Sequence, residues 1–402
     1  MRLVDFRSER ILITGGTGFL GANLVHFLVN SLGVSPSRVR VFSLAGTPTA
    51  ALRDLPPLDI RHGDILNAGD IEDACRDRTL VFHAAGVTSF DPRAKRMQWL
   101  VNVEGTRNLI DAARKAGSVR RICHTSTVNV LGCPEPAGSV GTAESCSPYS
   151  CRRKTHSFAS PEDALRFADS VRRGTAPGKW WKRIGIGYHD SKLAAQELVD
   201  RAVREEKMDI VSVLPGTCFG PYDTLLGSGL YLSQILASAL PGVPKGGCPL
   251  VHVGDAARGH VLAMARGKAG AHYVVTGRSE DNMYYADMAR IIADVLKERE
   301  PGLSIRSSFP TIPAFAAELA AGVIEIFSRI SRGPCLLSRD AVRAGSYPSF
   351  YSCEKARREL GYVPHRTFRQ AVESMYDYMK ENGLLAGKSR KMDALVLKLE
   401  PF

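Results

Sequence analysis

Apolar residues follow two alternating rhythms along the first half of the chain. Short runs rich in β-branched and aliphatic residues at 10–14, 38–43, 58–62, 79–84, 120–126 and 209–214 predict strands. Between them, apolar positions three and four apart predict helices over 20–32, 71–75, 97–115 and 191–206. Strand and helix in alternation build βαβ units, so the fold class is α/β, a doubly wound parallel sheet with helices on both faces. After Pro215 the rhythm loosens. Gly/Pro loops at 240–244 and 246–247 precede helices over 285–298 and 314–330, a pattern suited to a smaller C-terminal substrate-binding lobe.

The first strand-to-helix junction carries chemistry. Ile11-Leu12-Ile13 runs into Thr14-Gly15-Gly16-Thr17-Gly18-Phe19-Leu20-Gly21, which opens the first periodic helix. Gly15 permits a tight turn, Gly18 lets backbone N–H groups approach an anion, and Gly21 lets the helix pack on the strand. The positive helix N-terminus then faces a dinucleotide pyrophosphate, the geometry of a Rossmann fold. On this reading residues 1–215 are the dinucleotide-binding domain, interrupted by an insertion at about 133–183. Residues 216–385 are mostly the second lobe, with some segments returning to the core, and 386–402 are a tail.

Composition narrows the partners. The 402 residues, 44% hydrophobic, can bury a large core, and no apolar run reaches the ~20 residues that span a bilayer. With no visible leader and nine scattered cysteines, the expected location is the cytoplasm with free thiols. Cys133, Cys146, Cys151 and His156 match no common zinc spacing, so no metal is expected. The net charge of +12 is concentrated: residues 150–183 hold nine Lys/Arg against three Asp/Glu, an excess of six. Arg152-Arg153-Lys154 and Lys179-Trp180-Trp181-Lys182-Arg183 mix cations with aromatics as a single-strand binder would. A solvated insertion whose tryptophans fold back on the core is the preferred reading, and nucleic acid is not an expected partner.

Tyr188 and Lys192 stand four apart on one helical face. A phenol titrating near 10 becomes a proton carrier at neutral pH only beside a cation in a desolvated site. The spacing alone is common, recurring as Tyr351/Lys355 and Tyr376/Lys380. The first pair differs by position, since its helix lies between strands whose carboxyl ends meet a dinucleotide. His124-Thr125-Ser126-Thr127, at the end of the preceding strand, adds hydroxyls that could fix a carbonyl.

Together with His83-Ala84-Ala85-Gly86 and Asn102-Val103-Glu104-Gly105-Thr106, these motifs resemble the extended short-chain dehydrogenase/reductase superfamily over roughly residues 10–380. Gly254-Asp255-Ala256-Ala257-Arg258-Gly259-His260 and Ala356–Tyr362 are similar to the branch holding dihydroflavonol reductases, 3β-hydroxysteroid dehydrogenases and hopanoid-associated sugar epimerases. The resemblance implies Tyr188 as acid/base, Lys192 as the cation that lowers its pKa and holds the nicotinamide ribose, and Thr127 as the residue orienting the carbonyl. It implies cofactor contacts from Gly15, Thr17, Gly18, Phe19, Leu20, Gly21, Ser43, Asp64, Ile65, His83, Ala84, Ala85, Asn102, Ser126 and Pro215. It also implies a homodimer pairing helices 97–115 and 191–206, with Leu109, Ala112, Leu198 and Val199 at the seam.

Departures from the family pattern sharpen this. Ser43-Leu44-Ala45-Gly46 follows the second strand where a carboxylate would bind an NAD ribose, so either NAD or NADP fits and the reading leans to NADP. Val128-Asn129 after Thr127, where sugar-nucleotide dehydratases carry Asp-Glu, speaks against dehydration. Thr217, where many nucleotide-sugar epimerases carry Asn, speaks against a nucleotide sugar. The expected function is an NAD(P)-dependent oxidoreductase acting on a small secondary alcohol or ketone. A nucleotide-sugar epimerase and a cofactor-binding regulatory protein are the alternatives.

Overall fold

Ile11, Leu12 and Ile13 are all fully buried, Ile11 and Ile13 in one apolar cluster and Leu12 in another. A strand covered on both faces needs this continuous apolar run. The computed structural model describes residues 4–135, 138–142, 144–146, 157–331, 335 and 337–385. Its strands are β1 (Ile11–Thr14), β2 (Val39–Ser43), β3 (Asp59–His62), β4 (Leu80–His83), β5 (Arg121–Thr125), β6 (Val140–Gly141), β7 (Ile210–Pro215), β8 (Thr217–Phe219), β9 (Gly247–His252), β10 (His272–Val275), β11 (Asn282–Tyr284) and β12 (Phe350–Tyr351). Its helices are α1 (Phe19–His26), α2 (Ala68–Cys75), α3 (Lys95–Trp99), α4 (Gly105–Ala116), α5 (Pro161–Arg172), α6 (Gly187–Glu206), α7 (Gly229–Leu236), α8 (Val253–Arg266), α9 (Tyr285–Arg299), α10 (Ala314–Ser331), α11 (Arg339–Gly345), α12 (Glu354–Leu360) and α13 (Phe368–Glu381).

The central sheet is parallel throughout, in the order β10-β7-β5-β4-β1-β2-β3. This is the α/β, doubly wound fold that the periodicity predicts. Helices α1, α8 and α12 pack on one face of it, and α2, α4 and α6 on the other. The six expected strands are all present. The seventh, β10, is a lone four-residue run whose sheet partner β7 lies about 60 residues back. Strand order reverses between β1 and β4, so the chain leaves Thr14 and His83 for helices on opposite faces of the sheet, a switch point at its carboxyl edge. A three-stranded sheet, β11-β9-β8, with α7, α9 and α13 forms the second hydrophobic core.

The helix expected over 97–115 is two α-helices, α3 and α4, joined by a π-helical turn at Leu100–Glu104. α1 likewise ends in a π turn at Phe27–Ser31. The insertion holds a helix the periodicity missed, α5, capped by the Ser160 hydroxyl accepting from Asp163 N–H at 3.1 Å. Ala164, Leu165 and Ala168 of α5 pack with Leu198 of α6 and with the fully buried Trp99. Trp180 meets Trp99 edge-on at 6.0 Å, and Phe167 meets it at 5.1 Å. The tryptophans therefore line the core of the insertion and do not form an open stacking platform. Arg172 lies 3.7 Å from Asp111, and Arg107 bonds Asp169 at 2.9 Å, so part of the local charge is neutralised within the fold. Arg152, Arg153 and Lys154, and Cys151 and His156 of the weighed zinc set, lie outside the described residues.

The expected dimer seam needs correction. Leu109, Ala112, Leu198 and Val199 are each buried within the chain, Leu198 against α5 and the other three in the cluster under α2, α4 and α6. α5 packs on α6 through Leu198.

Truncating the keystone of this module tests the packing. Trp99→Ala should cost about 3–5 kcal/mol in urea unfolding and expose 157–186 to protease before the rest of the chain. A loss under about 1 kcal/mol would mean that α5 is held by its charges and not by the aromatic cluster.

Candidate active site

The glycine loop is shaped by backbone contact. Gly15 has φ +68°, and a Cβ there would fall 2.7 Å from the Ala85 Cα. A Cβ on Gly21 would lie 2.1 Å from the Gly15 carbonyl oxygen, so no side chain fits between helix and loop. α1 starts at Gly18 without a side-chain cap and without an acidic residue in its first turn. Its free N–H groups and positive end therefore suit a phosphate. Thr17 closes the loop onto β2, its hydroxyl bonding Ser43 at 2.5 Å. Phe19 and Leu20 begin the helix at the same mouth.

Asp64 and Ile65 follow β3. Asp64 accepts Leu66 N–H at 2.9 Å, and its own N–H donates to Asp70 at 2.8 Å. Asn108 of α4 holds the Ile65 carbonyl at 3.0 Å. Pro215 ends β7, paired with Val275. Ala84 and Ala85 stay partly open beside the glycine loop.

His83 and Asn102 behave differently from the rest of the expected cofactor set, because their side chains are spent inside the protein. The Thr106 hydroxyl donates to the Asn102 carbonyl at 2.6 Å, so toward His83 Nε2, at 3.0 Å, it can only accept. The proton then sits on Nε2, and Nδ1 accepts from the Thr14 hydroxyl at 2.8 Å. Thr14 Oγ1 in turn accepts Ala85 N–H at 3.3 Å. Burial, with Lys192 nearby, pulls the His83 pKa down to about 3 and keeps the ring neutral. Asn102 clamps Val87 from both sides, accepting its N–H at 2.8 Å and donating to its carbonyl at 3.0 Å. It also donates to Ser191 at 3.0 Å, and Ser191 donates to the Tyr188 carbonyl at 3.0 Å. One continuous path thus joins the glycine loop to the N-terminal turn of α6.

Tyr188, Thr127 and Lys192 meet at the mouth of that path. The Tyr188 phenol lies beside the Thr127 and Thr88 hydroxyls; burial pushes its pKa above the ordinary value, and these hydroxyls pull it partly back. Lys192 Nζ donates to the Thr125 carbonyl at 2.9 Å, and burial pulls it down to about 8. The expected direct action of Lys192 on the phenol is not what the side chains show: the ammonium is anchored on β5. A Cβ on Gly86 would come within 3.4 Å of that ammonium, which places Lys192 against the loop after β4. Ser126 is buried beside Thr127, its N–H bonded to the Val213 carbonyl at 2.8 Å. The two look-alike pairs sit elsewhere. Tyr376 and Lys380 bond each other at 3.0 Å beside Glu300, and Lys355 lies over the Tyr273 ring.

Sequence reasoning missed Thr88, Phe90 and Cys218. The Phe90 ring stands edge-on to Tyr188 at 6.2 Å, and Cys218 of β8 is near enough to help raise the phenol's pKa. Only the loop position of Thr88, just after His83-Ala84-Ala85-Gly86, could have flagged it. Among the described residues no His/Cys/Asp/Glu group could hold a metal ion, and no helix is long and apolar enough to cross a membrane.

The buried histidines set an acid limit. His83 is held down to about 3, and His252 and His260 to about 4, each chiefly by burial. The unfolded chain protonates them below 6.5, so their stability contribution is intact above that value and is lost as pH falls toward 4. Each should cost about 2 kcal/mol by about pH 5. Urea midpoints should fall steeply between about pH 7 and 5, and less steeply in His252→Gln; equal slopes in the two proteins would refute the assignment.

Two family descriptions match the sequence: the 3-beta hydroxysteroid dehydrogenase/isomerase family over residues 12–154 and the NAD dependent epimerase/dehydratase family over 183–276. The chain is 26% identical to sterol demethylase protein B of Methylococcus capsulatus, over 93% of this chain and 99% of that protein. It is 26% identical to a 3 beta-hydroxysteroid dehydrogenase/Delta 5-->4-isomerase of Mycobacterium tuberculosis, over 92% and 90% of the two chains. The fold matches that of a dTDP-glucose 4,6-dehydratase from Streptomyces venezuelae solved with NAD bound, with TM-score 0.65, 23% identity, and 93% and 97% of the two chains covered. With a glycine loop and a parallel sheet that fit a dinucleotide, the chain is similar over most of its length to enzymes of the extended short-chain dehydrogenase/reductase superfamily and, like them, is an NAD(P)-dependent enzyme.

Proposed function

We propose that this enzyme moves a hydride between NAD(P) and the carbon of a small secondary alcohol or ketone, with Tyr188 as the proton carrier. The observation that carries the reading is the grouping of the Tyr188 phenol, Thr127 and the Lys192 ammonium at the carboxyl edge, beside the glycine cradle. NAD(P), when bound, supplies the hydride donor or acceptor at nicotinamide C4. Gly15, Thr17, Gly18, Phe19, Leu20 and Gly21 would hold its pyrophosphate, Asp64 and Ile65 its adenine, and Ala84, Ala85, Ser126 and Pro215 its nicotinamide side. Lys192 would reach the ribose while keeping its bond to Thr125. His83 and Asn102 would act by fixing the loop after β4 and not by contact.

Reduction places a carbonyl oxygen where Tyr188 and Thr127 can both donate to it. Tyr188 gives its proton to that oxygen as it becomes an alkoxide, and the Thr88 hydroxyl can donate to the phenolate left behind. Ser43 is the reason to favour NADP, since no carboxylate stands at the end of β2 to repel a 2′-phosphate.

The epimerase/dehydratase match over the Tyr188 helix favours one second reading, a nucleotide-sugar epimerase. It would retain its nicotinamide through purification and fail to consume added NADPH. Light scattering decides whether the chain associates into a homodimer.

Tyr188→Phe should lower kcat by roughly 10²–10⁴-fold and leave the cofactor Kd within about twofold. Lys192→Ala should damage both. Because kcat/KM reports the free enzyme, it should fall by about tenfold per pH unit above about 8, where the Lys192 ammonium loses its proton. Near-normal turnover in Tyr188→Phe would move the acid/base elsewhere.

Installing a carboxylate tests the cofactor preference. Ser43→Asp should shift the NADPH/NADH ratio of kcat/KM toward NADH by at least about tenfold. An unchanged ratio in a protein of unchanged Tm would mean that this position does not meet the ribose.

A further inference from the structure

α10 is built the wrong way round for a core helix. Its small residues Ala317, Ala321 and Gly322 face the protein, against Val342 of α11, Ile312 and Leu337. Its large apolar residues face out. Phe315, Leu319, Val323, Ile326, Phe327 and Ile330 are between 57 and 78% exposed. Their spacing of four, four, three, one and three keeps them on one stripe along the whole helix.

Charge on α10 is kept off this stripe. Glu318 lies 3.6 Å from Arg343, and Glu325 accepts Arg339 N–H at 2.7 Å. Arg329 is exposed and has no ion pair among the described residues, whereas Arg339 and Arg343 lie on α11, the first against Gly322 and the second paired with Glu318. The helix therefore presents an apolar stripe with one unpaired arginine, on a chain of net charge +12.

Its place in the fold links it to the chemistry. Ser338, which caps α11 directly after this helix, donates to the Phe90 carbonyl, and the Phe90 ring stands against Tyr188. Asp340 of α11 bonds Lys95 at 2.9 Å and accepts Gly187 N–H at 3.4 Å at the start of α6.

We propose that α10 docks this enzyme on the surface of an anionic lipid bilayer, with the apolar stripe in the headgroup boundary and the mouth beside Phe90 and Tyr188 turned toward the lipid. The helix is not long and apolar enough to span, which fits a helix lying in the interface. Charge favours a lipid surface over a second copy: two copies of a chain of net charge +12 repel one another, whereas anionic headgroups attract it, and Arg329 stands exposed on the helix. Each apolar side chain that inserts adds its own transfer energy. Resting on the oxidoreductase reading, the corollary is that the substrate is an apolar alcohol or ketone dissolved in the membrane.

The test is sedimentation of the full chain with vesicles of phosphatidylcholine alone and with phosphatidylglycerol added. Binding should require phosphatidylglycerol and weaken with salt. The variant Leu319→Ser/Phe327→Ser/Ile330→Ser changes only exposed positions, so it should keep its Tm and bind roughly a hundredfold more weakly. In Val323→Trp, the added emission should shift blue on mixing and be quenched by brominated acyl chains. Three results would overturn the proposal: no binding by the unaltered chain, equal binding by the serine variant, or a lipid-free dimer that the serine variant dissociates, which would make the stripe a seam between copies. Vesicle binding is read without substrate or cofactor, so loss of the oxidoreductase reading would leave this result standing.

Discussion

A neutral histidine with no freedom left holds the site together. His83 ends β4 at the point where strand order reverses, and both of its ring nitrogens are committed, one to Thr14 of β1 and one to Thr106 of α4. Thr106 spends its proton on the Asn102 carbonyl, which fixes the tautomer and with it the direction of every bond in the path. In so dry a place a second proton would leave a buried charge and a donor with no acceptor. The glycine loop, the loop after β4 and the start of α6 are positioned by this one set of hydrogen bonds.

That constraint produces a division of labour at the carboxyl edge. His83 and Asn102 spend their side chains inside the protein, whereas Lys192 and the start of α1 keep capacity to spare. Lys192 uses one of its three donors on Thr125, and α1 begins with uncapped N–H groups. The π turn at Leu100–Glu104 serves the same end: the extra residue in that turn aims Asn102 across to Val87, a reach that a regular α-helical register would change. The insertion helix α5 braces α6 from outside, so the helix carrying Tyr188 is held from both ends and from its flank.

Much of the fold was legible in the sequence because the physics behind it is local. Alternating apolar runs, a glycine where φ must be positive and a glycine where helix meets loop each read directly from neighbouring residues. Hence six of the seven central strands, the loop at Gly15 and the helix of Tyr188 stand close to where periodicity puts them. The spacing of Tyr188 and Lys192 was legible too, but its meaning was not. Three Tyr/Lys pairs share that spacing, and the pair that bonds directly, Tyr376 with Lys380, belongs to a surface ion network with Glu300.

Tertiary structure decided the rest, because those features depend on residues far apart in the chain. Lys192 is set by the carbonyl of Thr125, 67 positions away, and the His83 proton by Thr14 and Thr106. β10 became a strand only by pairing with β7, and Leu109 and Leu198 look like seam residues until α2 and α5 cover them. The stripe on α10 shows the same limit: periodicity gives two unlike faces to a helix, but which one turns inward is settled by the side that fits closest. There the small residues, by allowing near approach to α11, left the large ones facing out.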